Sequence, residues 1–417
     1  MSLFRLSVQS LISRRITVGL TIFAIALSVT LFLGVEKIRI GARASFADTI
    51  SNTDLIVGAR SGAVQLLLYS VFRIGNATNN MTWESYSEIA ARPEVDWIVP
   101  ISLGDSHRQF RVMGTTTDYF SRYKYRGGQS LAFEHGKIFD DVFDAVIGAD
   151  VAKTLGYSVG DPMIVAHGVA SFTEHKNQPF RVSGILQKTG TPVDRTVIVS
   201  LAAIEAIHVD WQSGAKKPGA STSPDELRTM DLQPKSVTAA MIGVKSRLKV
   251  FSLQRRINEY KAEPLLAILP GVALQELWQI VGIAETALRG VSIMVVATAL
   301  LGMAAMIFSG LNERRREMAI LRAMGATPRT IVGMLVVEAM VMGATAALTG
   351  MTLLYAVLWL AQPLIDAAFG IYLPINLPAF HEIGVLVAIV IAAAITSLLP
   401  ALRAYRLSLT DGMSVKS

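Results

Sequence analysis

The 417-residue chain contains no cysteine. That removes disulfides, thiol nucleophiles and thiolate metal sites at once, although an exported domain large enough to bury its own core needs no such staples. Charge is also scarce. Asp, Glu, Lys and Arg make up 17% of the residues, against about a quarter in soluble domains. A basic stripe interleaved with aromatics is missing as well. Residues 36–275 hold 27 Lys and Arg against 24 Asp and Glu, so the larger part of the net charge of +7 comes from the apolar ends. No nucleic-acid groove is expected. A phosphate-binding GxxxxGK[ST] loop is absent, which excludes nucleotide hydrolysis of that kind by this chain. What the chain has in quantity is apolar: 52% of residues are hydrophobic and the mean hydropathy is +0.45. Such a composition excludes disorder and points to a bilayer.

Four stretches carry the roughly 20 apolar residues that a bilayer core requires. Residues 16–35 are uncharged and follow Arg14 and Arg15. Residues 291–311, within a helix taken as 283–311, are uncharged too. Residues 331–361 carry one charge, Glu338, about two turns in from the start of the run. Residues 383–402 are uncharged and lead to Arg403 and Arg406. Arginine marks the sides: residues 1–15 hold three Arg and no acid, 312–330 hold five Arg against two Glu, and 362–382 hold neither Lys nor Arg. The positive-inside rule therefore puts 1–15, 312–330 and the tail 403–417 in the cytoplasm, with 36–282 and 362–382 outside. Phe4, Val8, Leu11 and Ile12 share one face of a short helix, which suits an amphipathic segment in the headgroup layer or a simple extension of the first span. Ala42-Arg43-Ala44 looks like a cleavage site, but the apolar run before it exceeds the about 7–15 residues of a signal-peptide core, so an uncleaved anchor is expected.

Between 36 and 282, short β-branched runs (54–57, 97–101, 110–112, 145–147, 163–165, 180–182, 196–199, 237–244) alternate with helical patterns (64–72, 83–91, 150–155, 202–207, 252–262). The mixture predicts an α+β domain with room for two lobes. Residues 211–233, rich in Ser, Gly, Pro and charge, read as an exposed insertion or mobile loop. Residues 35–49 and 271–289 are helix-compatible. As continuous helices they would hold the domain on stalks; ordinary linker is the alternative. The fold class is thus a membrane protein with four transmembrane α-helices and a large α+β domain inserted between helices 1 and 2.

Catalytic signals are weak. Gly156-Tyr157-Ser158-Val159-Gly160 matches GxSxG, yet a helical pattern precedes it and a strand follows, the reverse of a nucleophile elbow. A helix stop and turn is expected there. Ser121 and Lys124 match SxxK without its companion motifs, and His381-Glu382 lacks the second histidine of HExxH. No catalytic residue is assigned. Five histidines, His107, His135, His167, His175 and His208, lie in the external segment, with Asp105, Glu134, Asp140, Asp141 and Glu174 close to some of them in sequence. None shows the i, i+3 or i+4 pairing of a compact metal site, so they read as scattered surface residues and no metal ligand is assigned. Glu338 is the one clear ionisable residue inside a span, too little for a conventional polar pore.

One loop has more structure than orientation requires. Residues 312–330 read NERRREMAILRAMGATPRT. Met318, Leu321 and Met324 share one face of a short helix with Ile320 alongside. Gly325 and Ala326 end it, and Thr327-Pro328 restart a helix with an N-cap and a proline at the first position. Glu313 and Glu317 flank Arg314, Arg315 and Arg316 at spacings that allow Glu313–Arg316 and Arg314–Glu317 pairs, with Arg322 and Arg329 further along. A positive-inside anchor explains the arginines but neither the break nor the apolar face.

This stretch, followed by Glu338-Ala339, resembles the FtsX/MacB/LolC-type permease subunits of ABC transporters, sometimes called type VII. The layout of one span, a large external domain and three further spans ending in Pro400-Ala401-Leu402-Arg403-Ala404 is similar to theirs. The phrases VIGADVAKTLGYSVGD and FRVSGILQKTGTPVDRTVIVSL look like their periplasmic domain. The resemblance implies a bacterial inner membrane location and a periplasmic external domain. It makes 313–329 the coupling helix that docks on a dimer of separate ABC ATPase subunits. The chain itself would be non-catalytic and hold no cofactor, ATP and Mg being bound by that partner. A second permease chain, identical or paralogous, is implied, as is mechanotransmission to a lipoprotein, a peptide or an envelope partner in the periplasm or outer membrane. Two other classes stand beside it: a periplasmic sensor or scaffold regulating an envelope enzyme, and a metal-linked exporter component.

Overall fold

Apolar length decides the helical part of the molecule. The computed structural model describes residues 3–168, 175, 177–212, 215–216, 222–313, 320, 322–369 and 377–410. Its long helices are Arg15–Asp48, Pro270–Glu313, Pro328–Phe369 and Phe380–Thr410. Each contains a window long and apolar enough to cross a membrane, since about 20 helical residues span 30 Å. A short helix, Leu3–Ser13, comes first, and the chain turns at Arg14, whose N–H donates to the Leu11 carbonyl at 3.2 Å. Two compact units result: a helical one (Met1–Gly41, Gly282–Pro363 and Leu373–Ser417) and a second built mainly on Ala42–Val281.

In the helical unit, the first span divides its faces by three- and four-residue steps. Val18, Ile25, Ala26, Val29 and Leu33 are buried, while Leu20, Phe23, Leu27 and Leu31 point outward, the side a bilayer would cover. Small residues let helices touch. A Cβ placed on Gly350 would lie 2.6 Å from the Ala26 carbonyl oxygen and 2.8 Å from Val29 Cβ. Thr30 Oγ1 lies 2.8 Å from the Ala26 oxygen and 2.9 Å from the Gly350 oxygen, which makes the same contact polar as well as close.

The second unit is organised by one sheet rather than two lobes. From edge to edge its strands are Leu265–Ile268, Leu55–Ala59, Ala239–Val244, Val95–His107, Phe110–Thr115, Thr196–Ser200, Asp144–Ile147, Phe180–Leu186 and Phe133–Gly136, with Pro162–Met163 pairing Phe180–Leu186 off that path. Two pairs are parallel, Phe110–Thr115 with Thr196–Ser200 and Asp144–Ile147 with Phe180–Leu186. Period-two alternation sends neighbours to opposite faces. Ile56, Val146, Ile198 and Met241 join one core with Leu66, Leu67, Tyr119 and Phe120 from helices Ala63–Ser70 and Asp118–Arg122. Ala145, Ile147, Val197 and Val199 join another with Ala203, Ala206 and Ile207 of helix Leu201–His208. Leu55, Val57, Ala240 and Ile242 join a third with Ile89, Leu253 and Ile257. Both faces are covered, which is why the strands read as nearly continuous apolar runs.

Serine or threonine caps three of the short helices of the second unit. Thr82 accepts from the Ser85 N–H ahead of Trp83–Ala90, and Ser200 accepts from the Ala203 N–H ahead of Leu201–His208. The stretch expected as an exposed insertion or mobile loop, 211–233, is largely exposed where described, but it is not all loop. Helix Pro224–Thr229 begins with a full capping box on Ser223 and Glu226, and Leu227 is fully buried in the core. Residues 213–214 and 217–221 of that stretch lie outside the described residues.

Candidate functional site

The elbow at residues 312–330 is only partly described. Arg314, Arg315, Arg316, Glu317, Met318 and Leu321 lie outside the described residues, as does the side chain of Glu313, whose backbone ends helix Pro270–Glu313. The remainder has the expected break. Gly325 takes φ +93°, a left-handed conformation, and its N–H donates to the Arg322 carbonyl at 2.9 Å. Ala326 and Thr327 are non-helical. Thr327 Oγ1 then accepts from the Thr330 N–H at 3.3 Å and meets Thr330 Oγ1 at 2.9 Å, capping the helix that opens at Pro328. Met324 is 71% exposed, and Ile320 and Arg329 are also exposed.

Inside the helical unit, Glu338 is buried on helix Pro328–Phe369. The same helix is tied to the N-terminal segment by Ser7 Oγ donating to the Met334 carbonyl at 3.3 Å. Polar groups that sequence reasoning left apart also meet here. Lys37 Nζ lies 3.1 Å from Glu382 Oε1 and 2.9 Å from the Tyr355 hydroxyl. Glu36 pairs with Arg39 and has Arg289 at 3.9 Å, while Arg39 lies 4.0 Å from Glu285. One signal was available: 362–382 holds acids and no Lys or Arg, so Glu382 had to find its cation on another segment.

For three of the five histidines between the first two spans, the expectation of scattered surface residues is corrected. These three converge with a carboxylate. Among the described residues, Asp105, His167, His175 and His208 are the group of three or more such side chains whose ligand atoms lie close together, all within 4.8 Å of one another. Asp105 stands at a register shift in strand Val95–His107. The next residue, Ser106, exchanges backbone hydrogen bonds with Ala166 at 2.8 and 3.0 Å, which sets His167 beside Asp105. The His175 N–H donates to the Val165 carbonyl at 2.9 Å. His208 ends helix Leu201–His208. His167 Nδ1 is 2.9 Å from His208 Nε2 and 3.4 Å from Asp105 Oδ1, and His208 Nε2 is 3.7 Å from that same oxygen. Trp211 stacks on His167, with ring centroids 4.8 Å apart, and lies 4.9 Å from His175. The hydrogen bond to Asp105 pushes the His167 imidazole above its ordinary range, against the opposing effect of burial. No local spacing signals this group, because its members come from four separate segments.

The other two histidines of this unit lie elsewhere. His107 Nδ1 is 2.6 Å from the Ile164 carbonyl oxygen and its Nε2 is 3.0 Å from the Tyr157 hydroxyl. His135 is exposed on strand Phe133–Gly136. The GxSxG match is the expected helix stop and turn. Gly156 caps helix Ala149–Leu155 in a left-handed conformation, and the Ser158 N–H donates to Asp161 Oδ2 at 2.8 Å ahead of strand Pro162–Met163.

Comparison with known proteins covers most of the chain in two pieces. Residues 18–249, more than half of the chain, match the MacB-like periplasmic core domain family. Residues 289–409 match the FtsX-like permease C-terminal family. No curated protein matches significantly. Among solved structures, the periplasmic region of MacB from Actinobacillus actinomycetemcomitans is similar at 11% identity and TM-score 0.35, over 55% of this chain and 94% of that one. The extracellular domain of the noncanonic ABC-type transporter YknZ from Gram-positive bacteria is similar at 15% identity and TM-score 0.30, over 52% of this chain and 100% of that one. Likenesses of that size carry no argument by themselves.

Proposed function

The chain belongs to the FtsX/MacB-type ABC transporter permeases, a four-span membrane subunit with a large α+β domain between its first and second spans, and from that premise we propose that it transmits force. Two copies of a separate ABC ATPase, binding ATP and Mg, drive the 313–329 elbow from the cytoplasm. The spans of a permease pair, with an identical or paralogous second chain, move in response. The helices Arg15–Asp48 and Pro270–Glu313 act as stalks that carry the motion to a periplasmic domain, which works on a lipoprotein, a peptide or an envelope partner. The chain does no chemistry on nucleotide itself.

The observation that carries this reading is the elbow: a left-handed Gly325 and a Thr327-capped restart at Pro328, in a chain without a phosphate-binding loop. Spans with few ionisable groups suit a mechanical device better than a solute pore. The test is to co-purify the permease with its cognate ATPase and measure hydrolysis per complex. The permease alone should be inactive. Leu321→Asp, which forces a carboxylate into an apolar contact, should abolish stimulation while membrane insertion persists. Gly325→Val, which places a β-branched residue where φ is +93° at a cost of about 1–2 kcal/mol, should weaken it. Wild-type association and stimulation by both variants would reduce the loop to an anchor.

A further inference from the structure

We propose that Asp105, His167, His175 and His208 form a binding site for a divalent first-row transition metal of the zinc class, held by one carboxylate and three imidazoles. The inference does not rest on force transmission and stands or falls separately from it. Four side chains that are each competent ligands point one atom apiece into a region where no two of those atoms are more than 4.8 Å apart. Tetrahedral zinc with bonds of about 2.0–2.1 Å sets its ligand atoms about 3.3 Å from one another. The separations of 3.4 and 3.7 Å from Asp105 Oδ1 and 2.9 Å between the two imidazole nitrogens lie around that value.

The surroundings of the four residues fit the same purpose. His208 Nδ1 lies 2.7 Å from the Ile204 carbonyl oxygen, one turn back on its own helix. That acceptor holds the proton on Nδ1 and leaves Nε2, the atom facing the group, with its lone pair. Asp105 is 3% exposed, and a carboxylate buried that deeply calls for a positive partner, which a dication supplies. The main chain is fixed on three sides, by the Ser106–Ala166 pairing, the His175–Val165 hydrogen bond and the end of helix Leu201–His208. Trp211 covers the imidazoles. His167 and His208 retain side-chain exposures of 36% and 28%, so an ion can enter from solvent without unfolding the domain. Nitrogen-rich ligation with a single oxygen selects Zn²⁺ and its neighbours over Mg²⁺ or Ca²⁺, which take oxygen cages.

The test uses the full chain in detergent, stripped with chelator and then equilibrated with Zn²⁺ before gel filtration into metal-free buffer. Elemental analysis should find about one zinc per chain in the wild type and in His135→Gln, and none in His167→Gln/His208→Gln. Replacing Zn²⁺ by Co²⁺ should give the intense visible bands of four-coordinate cobalt in the wild type and in His135→Gln, and none in the double variant. Should the double variant fold poorly, the wild type still decides the matter: Zn²⁺ must raise its unfolding temperature, and Mg²⁺ must not. Wild-type protein that emerges without zinc, a double variant that retains as much, or a pale six-coordinate cobalt spectrum would each overturn the site.

Discussion

The sheet domain and the span bundle bring polar backbone into close contact by opposite means. In the domain, closeness is managed by saturation. Asp194 is fully buried, and its carboxylate accepts from the Thr189 N–H at 2.8 Å, the Thr189 hydroxyl at 2.7 Å and the Gly190 N–H at 2.6 Å, with Lys188 Nζ at 3.6 Å. In the bundle, closeness is managed by absence: Gly350 has no side chain, so the backbone at Ala26 can reach it. The difference follows from the two solvents. Water drives apolar side chains together and then penalises any polar atom left unpaired behind them. Lipid tails are as apolar as leucine, so spans adhere only where shape allows contact over many atoms. The domain should therefore be sensitive to losing a polar atom, and the bundle to gaining an apolar one.

Asp194→Ala attacks the first half of that contrast and should have the largest effect. It removes the acceptor of two buried backbone N–H groups and of the Thr189 hydroxyl, while Lys188 keeps Asp150 at 2.6 Å, a loss of roughly 3–5 kcal/mol by analogy with broken buried charge networks. The expected outcome is a fall on the order of 10 °C in the unfolding temperature of the domain, followed by near-ultraviolet circular dichroism. A fall of a degree or less would show that this network is ornamental. Gly350→Leu attacks the second half. Its side chain must displace the Ala26 backbone, and overpacking of this kind costs about 1–3 kcal/mol. Denaturant titration of the helical signal in detergent should shift while the domain transition stays put, and Gly350→Ala should shift it less. Equal shifts in both transitions would erase the contrast.

The smallest effect belongs to the surface. Arg228 makes two hydrogen bonds to Asp141, at 2.8 and 3.2 Å, and these hold the Asp141 carboxyl below its ordinary range, with burial opposing. An acid whose folded value is depressed adds stability above its unfolded value near pH 4, and that stability disappears as the pH falls through the lower folded value. Both side chains are more than a third exposed, so only a few tenths of a kcal/mol are at stake. Arg228→Ala should unfold slightly below wild type at neutral pH and converge with it in acid. A gap that widens in acid would reverse the sign of the argument.

Legibility in the sequence followed the range of the forces involved. The four spans were readable because length and the scarcity of charge act within one segment, and the Gly325–Thr327 break because capping is a matter of three residues. Strand Leu265–Ile268 was not, since four apolar residues ahead of Pro270 carry no period long enough to separate a strand from a linker. Residues 102–107 were missed for another reason: Ser102, Asp105 and Ser106 look like loop, and only pairing to Phe110–Thr115 makes them strand. Leu227 was hidden by its polar neighbours. The histidine group was beyond reach altogether, because its geometry exists only after Ser106 pairs with Ala166 and helix Leu201–His208 packs on the sheet.

The strand order also sets a timetable for synthesis. Leu55 pairs with Ile242, and Ile56 with Ile268, so the first strand made has no neighbour until almost the whole domain has left the ribosome. Its second neighbour, Leu265–Ile268, is completed only two residues before helix Pro270–Glu313 begins. Contacts this distant along the chain close slowly, and at an elongation rate of about 5–20 residues per second the wait lasts on the order of ten seconds or more. For that interval the strand Leu55–Ala59 is an open edge in need of protection. The tether holding it is the helix that precedes it, already finished and already apolar enough to be membrane-bound, which keeps the growing domain at one place while its last strand arrives.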